Sequence, residues 1–268
     1  MSVLQEKNVT NWDKVYENSH ESGGWSYLSR LIVRTLKEEI GDLEDLSMIE
    51  LGCGSGRNSM RLAKMGANVS LLDLSQSVLD KARIHYDAEG VSAKFVQGNI
   101  FDIPLDNDTF FVVWNAGVIE HWEGEEQVSV IREMLRISKA SGYVVTLNPN
   151  KSSLLHDKGK RVLAWIGKYA YTDEINIRTL EQQAIKAGGH LTQPEYSVGF
   201  FVLFVGLFAQ LKSPSLLGRL FQMIFDVLNS TFTRLDKSRF GATLYKLDKR
   251  LSRIFGGYLL VSIMKKST

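Results

Sequence analysis

Three glycines at alternate positions, Gly52, Gly54 and Gly56, follow directly on a short apolar run. Glycine accepts positive φ angles and has no side chain, so a turn of this kind lets the backbone approach a ligand closely. A dinucleotide-binding loop, G-x-G-x-x-G, requires glycine or alanine at position 57, where this chain has Arg57. The spacing therefore favours another ligand over a nicotinamide cofactor.

Two carboxylates accompany this loop. Glu50 lies two positions before Gly52, and Asp73 ends the next apolar run, seventeen residues after Gly56. A carboxylate beside the loop attracts a cationic ligand and repels a pyrophosphate. At the end of a strand, Asp73 is placed to accept hydrogen bonds from ribose hydroxyls, and a helix N-cap region formed with Ser75 is the alternative.

The segment Glu50-Leu-Gly-Cys-Gly-Ser-Gly56 resembles the first motif of the class I S-adenosylmethionine-dependent methyltransferases, which reads apolar-apolar-acidic-apolar-Gly-x-Gly-x-Gly. The resemblance implies S-adenosylmethionine as the cofactor, a ligand with an ammonium and a sulfonium group but no phosphate. It also implies that Glu50 acts on the cofactor through water or the loop backbone, with local capping or pairing as the alternative. Asp73 would then bind the ribose.

Two later segments depart from the family pattern. The third-strand motif Gly-Asp-Ala followed by Leu-Pro is replaced by Gly-Asn-Ile-Phe-Asp-Ile-Pro at positions 98–104. The Asn99 side-chain oxygen can still accept a hydrogen bond from the adenine amino group, and the Ile100 N–H can donate to the ring, with Asp102 as an alternative acceptor. Phe111 stands where the family usually has a structural aspartate.

The resemblance extends to the loop after the fourth predicted strand and gives a set of candidate cofactor residues. Arg57 and Asn58 either reach the methionine carboxylate or are polar residues of a first helical turn, and Cys53 is interpreted as a packed residue rather than a nucleophile. The full set is Glu50, Gly52, Cys53, Gly54, Gly56, Arg57, Asn58, Asp73, Leu74, Asn99, Ile100, Asn115 and Gly117.

Methyl transfer from a sulfonium is an in-line displacement that depends mainly on positioning in a dry pocket. If the acceptor is a hydroxyl, a base must take its proton, and His121 is the candidate because it follows the fourth strand; capping or packing on Trp122 is the alternative. His156 and Tyr171 are secondary candidates. The other histidines have no neighbours at metal-ligand spacing, so no metal site is predicted.

Short apolar runs alternate with helical patterns from residue 46 to 147. This alternation predicts a doubly wound, mostly parallel seven-stranded α/β sheet with helices on both faces. The predicted strands are 47–51, 68–72, 93–97, 110–114, 142–147, 191–196 and 258–264. The predicted helices are 28–40, a helix closed by Gly66, 128–137, 154–166, 178–187 and a helical insertion within 197–255, before the last strand.

The 268 residues are interpreted as a single methyltransferase domain because 44% are hydrophobic and no low-complexity tract interrupts them. Within it we expect an N-terminal helical lead-in or lid (1–45), a cofactor-binding core (46–150), substrate-side helices with the insertion (151–255) and a final strand (256–268). A single cysteine excludes an internal disulfide, and the polar N-terminus lacks the order of a secretory signal, so we expect a cytoplasmic protein.

The net charge of +2 does not favour nucleic acid as a partner, although the segment from Gly199 onward has eleven Lys or Arg and three Asp. Its apolar stretches favour an apolar, lipid-linked or glycan-linked small-molecule acceptor and a peripheral membrane contact through 198–253. The alternative is a helical lid with a solvated basic exterior. For the whole chain, the alternatives are an NAD(P)-dependent oxidoreductase and a catalytically silent S-adenosylmethionine-binding module; the oligomeric state is not predicted.

Overall fold

The computed structural model describes residues 26–150, 153, 177–210 and 215–267. The predicted helix at 154–166, His156 and Tyr171 lie outside these residues, as does most of the N-terminal lead-in.

A twisted sheet forms the centre of the molecule. Among the described residues it has eight strands in the order β3-β2-β1-β4-β5-β8-β6, with β7 also paired to β8. Strands β1 to β5 are parallel, and β8 is antiparallel to β5. The strands are β1 (Ser47–Leu51), β2 (Asn68–Asp73), β3 (Lys94–Gln97), β4 (Phe110–Ala116), β5 (Ser138–Pro149), β6 (Gly189–Leu191), β7 (Tyr196–Val198) and β8 (Leu259–Lys266).

Helices cover both faces of the sheet, because the apolar side chains of its central strands alternate between two buried clusters. Met48 and Trp114 pack on one face with α1, α2 and α3. Ile49 and Val113 pack on the other face with α4 and α5. The helices are α1 (Ser26–Ile40), α2 (Arg57–Ala63), α3 (Gln76–Ala88), α4 (Glu125–Ile137), α5 (Glu181–Lys186), α6 (Phe200–Gln210), α7 (Leu216–Lys237) and α8 (Gly241–Phe255).

The prediction of a doubly wound, mostly parallel sheet with a helical insertion before the last strand is confirmed. The strand count was wrong, since the segment 191–196 does not form one strand. It contains the end of β6 and the start of β7, which both pair with β8. Pro194 lies between them, and proline cannot donate a backbone hydrogen bond to a neighbouring strand.

Helix α1 joins the insertion to the sheet through buried polar contacts. Asp236 of α7 is 5% exposed, and its carboxylate accepts hydrogen bonds from the guanidinium groups of Arg30 and Arg34, at 2.6 Å for Arg30 Nε. At the other end of α1, Glu39 accepts from Lys249 of α8 at 2.8 Å and from the Tyr196 hydroxyl at 2.6 Å. These hydrogen bonds lower the pKa of Glu39, against the opposing effect of its burial.

We expect Asp236→Ala to lower the free energy of unfolding by about 2 kcal/mol, because it leaves two guanidinium groups side by side without their shared carboxylate. Urea unfolding measures the effect. Asp226→Ala is the matched control, since Asp226 is an exposed aspartate of the same helix that contacts Gln222. Equal stabilities of the two variants would contradict the prediction.

Candidate cofactor and active site

The predicted site residues come together at one edge of the sheet. Strands β1, β2, β3 and β4 are parallel neighbours, so their carboxyl ends lie side by side. Gly52, Leu74 and Gly117 each follow the last residue of a strand, and Asp73 is itself the last residue of β2. In an open parallel sheet, ligands bind at this edge. They bind beside the two neighbouring strands, here β1 and β4, from which the chain continues in opposite directions across the sheet.

The glycine loop connects β1 to α2 in a conformation that requires glycine. Gly56 is the N-cap of α2 with φ +65°, and a Cβ on it would lie 2.3 Å from Leu71 Cδ2. The buried Tyr86 hydroxyl donates to the Gly56 carbonyl at 2.8 Å. Gly52 and Gly54 also have positive φ angles. The loop is thus held from below by β2 and α3, while its other side lies at the open edge.

Asp73 fixes the middle of this loop. One carboxylate oxygen, Oδ2, accepts from the Gly54 N–H at 3.0 Å, and Oδ1 accepts from the Ser75 N–H at 3.1 Å. Ser75 is the N-cap of α3, and its hydroxyl accepts from the Val78 N–H at 3.3 Å. The two interpretations of Asp73 are therefore compatible, because Ser75 supplies the cap and Asp73 remains half-buried at the edge.

Glu50 is buried beneath the loop, 4% exposed, and its contacts are with the first turn of α2. Its Oε2 accepts from the Ser59 hydroxyl at 2.5 Å and from the Ser59 N–H at 3.3 Å. Burial raises the pKa of the Glu50 carboxyl to about 7, opposed by hydrogen bonds from Ser59 and Asn58 and assisted by the nearby Asp73. Local capping, one of the two predicted roles, is thus what these contacts provide.

The first turn of α2 also contacts α1. The Ser29 hydroxyl of α1 donates to the Asn58 side-chain oxygen, and Arg61 donates to the Ser29 hydroxyl. Burial lowers the pKa of Arg61, and the neighbouring Arg30 and Arg57 add to this effect. Arg57 and Arg61 therefore place positive charge in the helix that directly follows the loop, where a carboxylate ligand group would be favoured.

After β3 the chain turns tightly. The Asn99 side-chain oxygen accepts from the Phe101 N–H at 3.0 Å, and the Asp102 N–H donates to the Asn99 carbonyl at 3.0 Å. Asn99 remains half-buried, Ile100 is 9% exposed, and Asp102 is exposed. The Asn99 oxygen has a second lone pair, so its role in the turn leaves it able to accept from a ligand.

The segment after β4 contains the predicted base. Gly117 has φ +75° and is exposed, and a short 3-10 helix, Ile119–His121, follows. His121 is half-buried and lies edge-to-face with Trp122 at 6.1 Å between ring centroids; Trp122 in turn contacts Phe101 at 5.2 Å. The base candidate thus lies beside Trp122, and Trp122 packs on Phe101 of the β3–β4 connection.

Two predicted residues are more buried than a ligand contact requires. Asn115 is fully buried on the α4 face of the sheet, where its amide donates to Met134 Sδ at 3.3 Å, and this placement argues against a direct side-chain contact with a ligand. Cys53 is 7% exposed, and burial raises the pKa of its thiol well above the usual range. A thiolate is therefore disfavoured at this position.

The structure adds residues that sequence reasoning missed. Ser59 holds Glu50, and Tyr86 holds the Gly56 carbonyl. Ser59 is the third residue of α2, and a backbone N–H in the first turn of a helix has no acceptor within the helix. The carboxylate of Glu50, near the end of the preceding strand, could have been recognised from the sequence as the acceptor for such an N–H. Among the described residues, no group of three or more His, Cys, Asp or Glu side chains is arranged to hold a metal ion.

Comparison with known proteins identifies the architecture. Residues 48–142 match the family of the methyltransferase domain. This match supports the assignment of these residues to a class I S-adenosylmethionine-dependent methyltransferase domain. The matched residues run from β1 into β5, so they include the glycine loop, Asp73 and His121, and the helical insertion follows after the match has ended.

Sequence relatives of the methyltransferase are named ubiquinone biosynthesis O-methyltransferase. The protein from Rickettsia prowazekii is 26% identical over 181 residues, which cover 63% of this chain and 70% of that protein. The protein from Vibrio campbellii is 35% identical over 111 residues, which cover 40% of this chain and 46% of that protein. Both alignments are consistent with a methyl-transferring enzyme, and neither an oxidoreductase nor a silent binding module is favoured.

Solved structures share the fold. The magnesium protoporphyrin IX methyltransferase from Synechocystis, determined with bound S-adenosylhomocysteine, has a TM-score of 0.54 at 18% identity, with coverage of 71% of this chain and 90% of that chain. An S-adenosylmethionine-dependent methyltransferase from Aquifex aeolicus has a TM-score of 0.51 at 14% identity, with coverage of 69% and 92%. The match to the methyltransferase domain and the S-adenosylhomocysteine of the Synechocystis structure support S-adenosylmethionine as the cofactor.

The residues at the sheet edge suit this cofactor. The loop backbone, the half-buried Asp73 carboxylate and the half-buried Asn99 offer mainly acceptors and a close backbone approach. A cofactor with cationic groups and hydroxyls needs such acceptors, whereas a pyrophosphate would meet the Asp73 carboxylate.

The raised pKa of Glu50 predicts a specific pH dependence of stability. A carboxyl whose pKa is about 7 in the folded state and about 4.3 when unfolded makes the folded state bind more protons between these values. The free energy of unfolding should therefore fall by about 4 kcal/mol as pH rises through this window, and Glu50→Gln should lack this contribution.

Urea unfolding across this pH range, with wild type, Glu50→Gln and the exposed control Glu126→Gln, measures the difference. The stability gap between wild type and Glu50→Gln should change with pH, whereas the gap to Glu126→Gln should stay constant. Parallel curves for all three proteins would show that the Glu50 carboxyl is not perturbed.

Proposed function

We propose that the protein transfers a methyl group from S-adenosylmethionine to a hydroxyl oxygen of an apolar small molecule, with His121 as the general base. The observation that carries this proposal is the position of His121, half-buried just after β4 and beside Trp122, which itself packs on Phe101. The names of the relatives, which are O-methyltransferases, support oxygen as the acceptor atom. The single buried cysteine favours the cytoplasm as its location.

In this proposal Asp73 accepts hydrogen bonds from the ribose hydroxyls, and Asn99 with the Ile100 N–H recognises the adenine. Gly52, Gly54 and Gly56 allow the backbone to approach the cofactor, and Glu50 acts indirectly by holding the first turn of α2 through Ser59. Arg57 directly follows the loop and is assigned to the methionine carboxylate. When bound, the cofactor supplies an electrophilic methyl group on a sulfonium.

The protein's own side chains then perform two tasks. The imidazole of His121 takes the hydroxyl proton as the acceptor oxygen attacks, since a neutral hydroxyl is a weak nucleophile. Trp122 and Phe101 exclude water from one side of the acceptor, which strengthens electrostatic interactions at the reacting atoms. Residues 1–45 and 151–255 are proposed to close the acceptor side of a single domain.

The ribose assignment is tested by calorimetry with S-adenosylhomocysteine and an analogue that lacks the ribose hydroxyls. Hydrogen bonds to a carboxylate contribute about 1.5–3 kcal/mol each, so Asp73→Asn should weaken S-adenosylhomocysteine binding at least about tenfold. The analogue should bind wild type weakly, and the Asp73→Asn substitution should reduce its affinity little further. Asp87→Asn on the exposed side of α3 is the control. If Asp73→Asn reduced the affinity for the analogue as much as it reduces the affinity for S-adenosylhomocysteine, the ribose contact would be overturned.

The base assignment is tested with alkylphenols as acceptors. His121→Gln should lower kcat by about 10²–10⁴ and leave the affinity for S-adenosylhomocysteine unchanged. Its activity should recover toward that of wild type at alkaline pH, where the phenol ionises without help. His85→Gln is the matched control, since His85 of α3 is half-buried like His121. Unchanged kcat in His121→Gln, or a pH profile identical to that of wild type, would contradict the role of His121.

A further inference from the structure

The solvent face of α7 is apolar, which is the reverse of an ordinary surface helix. Leu216, Leu220, Met223 and Val227 have a spacing of four, three and four residues, and their exposed fractions are 88%, 45%, 56% and 58%. At 100° per residue these positions share one side of the helix. The buried residues of the same helix, including Phe225, lie on the opposite side. We call these four exposed side chains the α7 stripe.

The α7 stripe is long and wide enough to be an interaction surface. It extends about 16 Å along the helix at 1.5 Å per residue. Leu217, 60% exposed, widens it, and a shallow groove of about 450 Å³ runs among Leu216, Leu217, Arg219, Leu220 and Met223. A contiguous exposed apolar surface of this kind marks a contact with a protein or a membrane.

The surroundings of the α7 stripe are strongly basic. Two of the three aspartates of the insertion are buried: Asp236 between Arg30 and Arg34, and Asp248 on the backbone N–H groups of Gly199 and Phe201. Within the described residues 215–255, Asp226 is the one exposed acidic side chain. The exposed basic side chains of these residues are Arg219, Arg234, Lys237, Arg239, Lys246, Arg250 and Arg253.

Helix α8 repeats the combination. Leu247 and Ile254 are 46% and 64% exposed and lie opposite the buried Tyr245 and Ser252. Lys246, Arg250 and Arg253 are exposed on the same side of this helix. Apolar groups flanked by Lys and Arg are typical of helices that lie in the plane of an anionic lipid surface.

We propose that the solvent faces of α7 and α8 dock on an anionic lipid bilayer. Charge complementarity selects this occupant, since anionic headgroups attract Lys and Arg while the apolar side chains enter the acyl boundary. A second copy of the same basic face would be repelled. No helix within the described part of the chain meets the length and hydropathy needed to cross a bilayer, so the contact lies along the surface.

Docking would give the active site access to acceptors dissolved in the bilayer; this consequence alone rests on the proposed function. The docking itself requires neither methyl transfer nor a particular acceptor. A measurement of lipid binding therefore stands apart from the turnover and calorimetry experiments above, and either set can fail without the other.

The test is co-sedimentation of the full chain with vesicles of phosphatidylcholine alone and of phosphatidylcholine with phosphatidylglycerol, at low and high salt. We expect binding to the anionic vesicles that weakens with salt. The triple variant Leu220→Ser, Met223→Ser, Val227→Ser should bind at least tenfold more weakly. The double variant Arg250→Glu, Arg253→Glu should lose about fivefold for each basic residue removed.

The double variant Ile84→Ser, Ile185→Ser is the matched control, because these side chains are 69% and 55% exposed on α3 and α5. It should bind vesicles like wild type, and all variants should retain S-adenosylhomocysteine binding, which shows that they fold. The proposal is overturned by absent binding to anionic vesicles or by equal binding of the triple variant and the control. A lipid-free dimer that the triple variant abolishes would assign the face to a second copy and would equally overturn it.

Discussion

The hydrogen bond from the Gly54 N–H to the Asp73 carboxylate, with the pair from Ser59 to Glu50, sets the shape of the cofactor edge. Glycine adopts positive and negative φ angles about equally, so a loop with several glycines needs contacts from outside to adopt one conformation. Asp73 supplies such a contact from the next strand, and Glu50 holds the first turn of α2, which follows the loop. The half-buried Asp73 carboxylate gives the edge its negative character.

The insertion is coupled to this edge through α1. Its Ser29 contacts the first turn of α2, its arginines hold Asp236 of α7, and its Glu39 holds Lys249 of α8. The insertion is therefore not simply appended to the sheet. A movement of α7 or α8 would be transmitted to Asn58, which lies two residues after the glycine loop and donates to Glu50.

The insertion combines two kinds of surface. Its inner side provides aromatic packing, as in the stacked rings of Phe201 and Phe232 at 4.8 Å, with Tyr27 against Phe232 at 5.2 Å. Its outer side is apolar and basic, because two of its aspartates are used internally. The match to the methyltransferase domain ends at residue 142, before this segment begins.

The sequence by itself determined the parallel core and placed Glu50, Gly52, Gly54, Gly56 and Asp73 near one edge of the sheet, while its resemblance to a known family implied the cofactor. The first two follow from local signals, namely short apolar runs, glycines at fixed spacing and acids near strand ends, which are decided within a few residues of chain. The β1 strand was predicted with its observed bounds for this reason.

Only the tertiary structure decided the rest, because it depends on contacts between residues far apart in the chain. The division of 191–196 between β6 and β7 follows from pairing with β8, and the complete burial of Asn115 follows from the packing of α4. The apolar spacing of α7 could be read from the sequence, but which side faces solvent could not. That choice was made by Asp236, which turns toward Arg30 and Arg34 and leaves the α7 stripe outside.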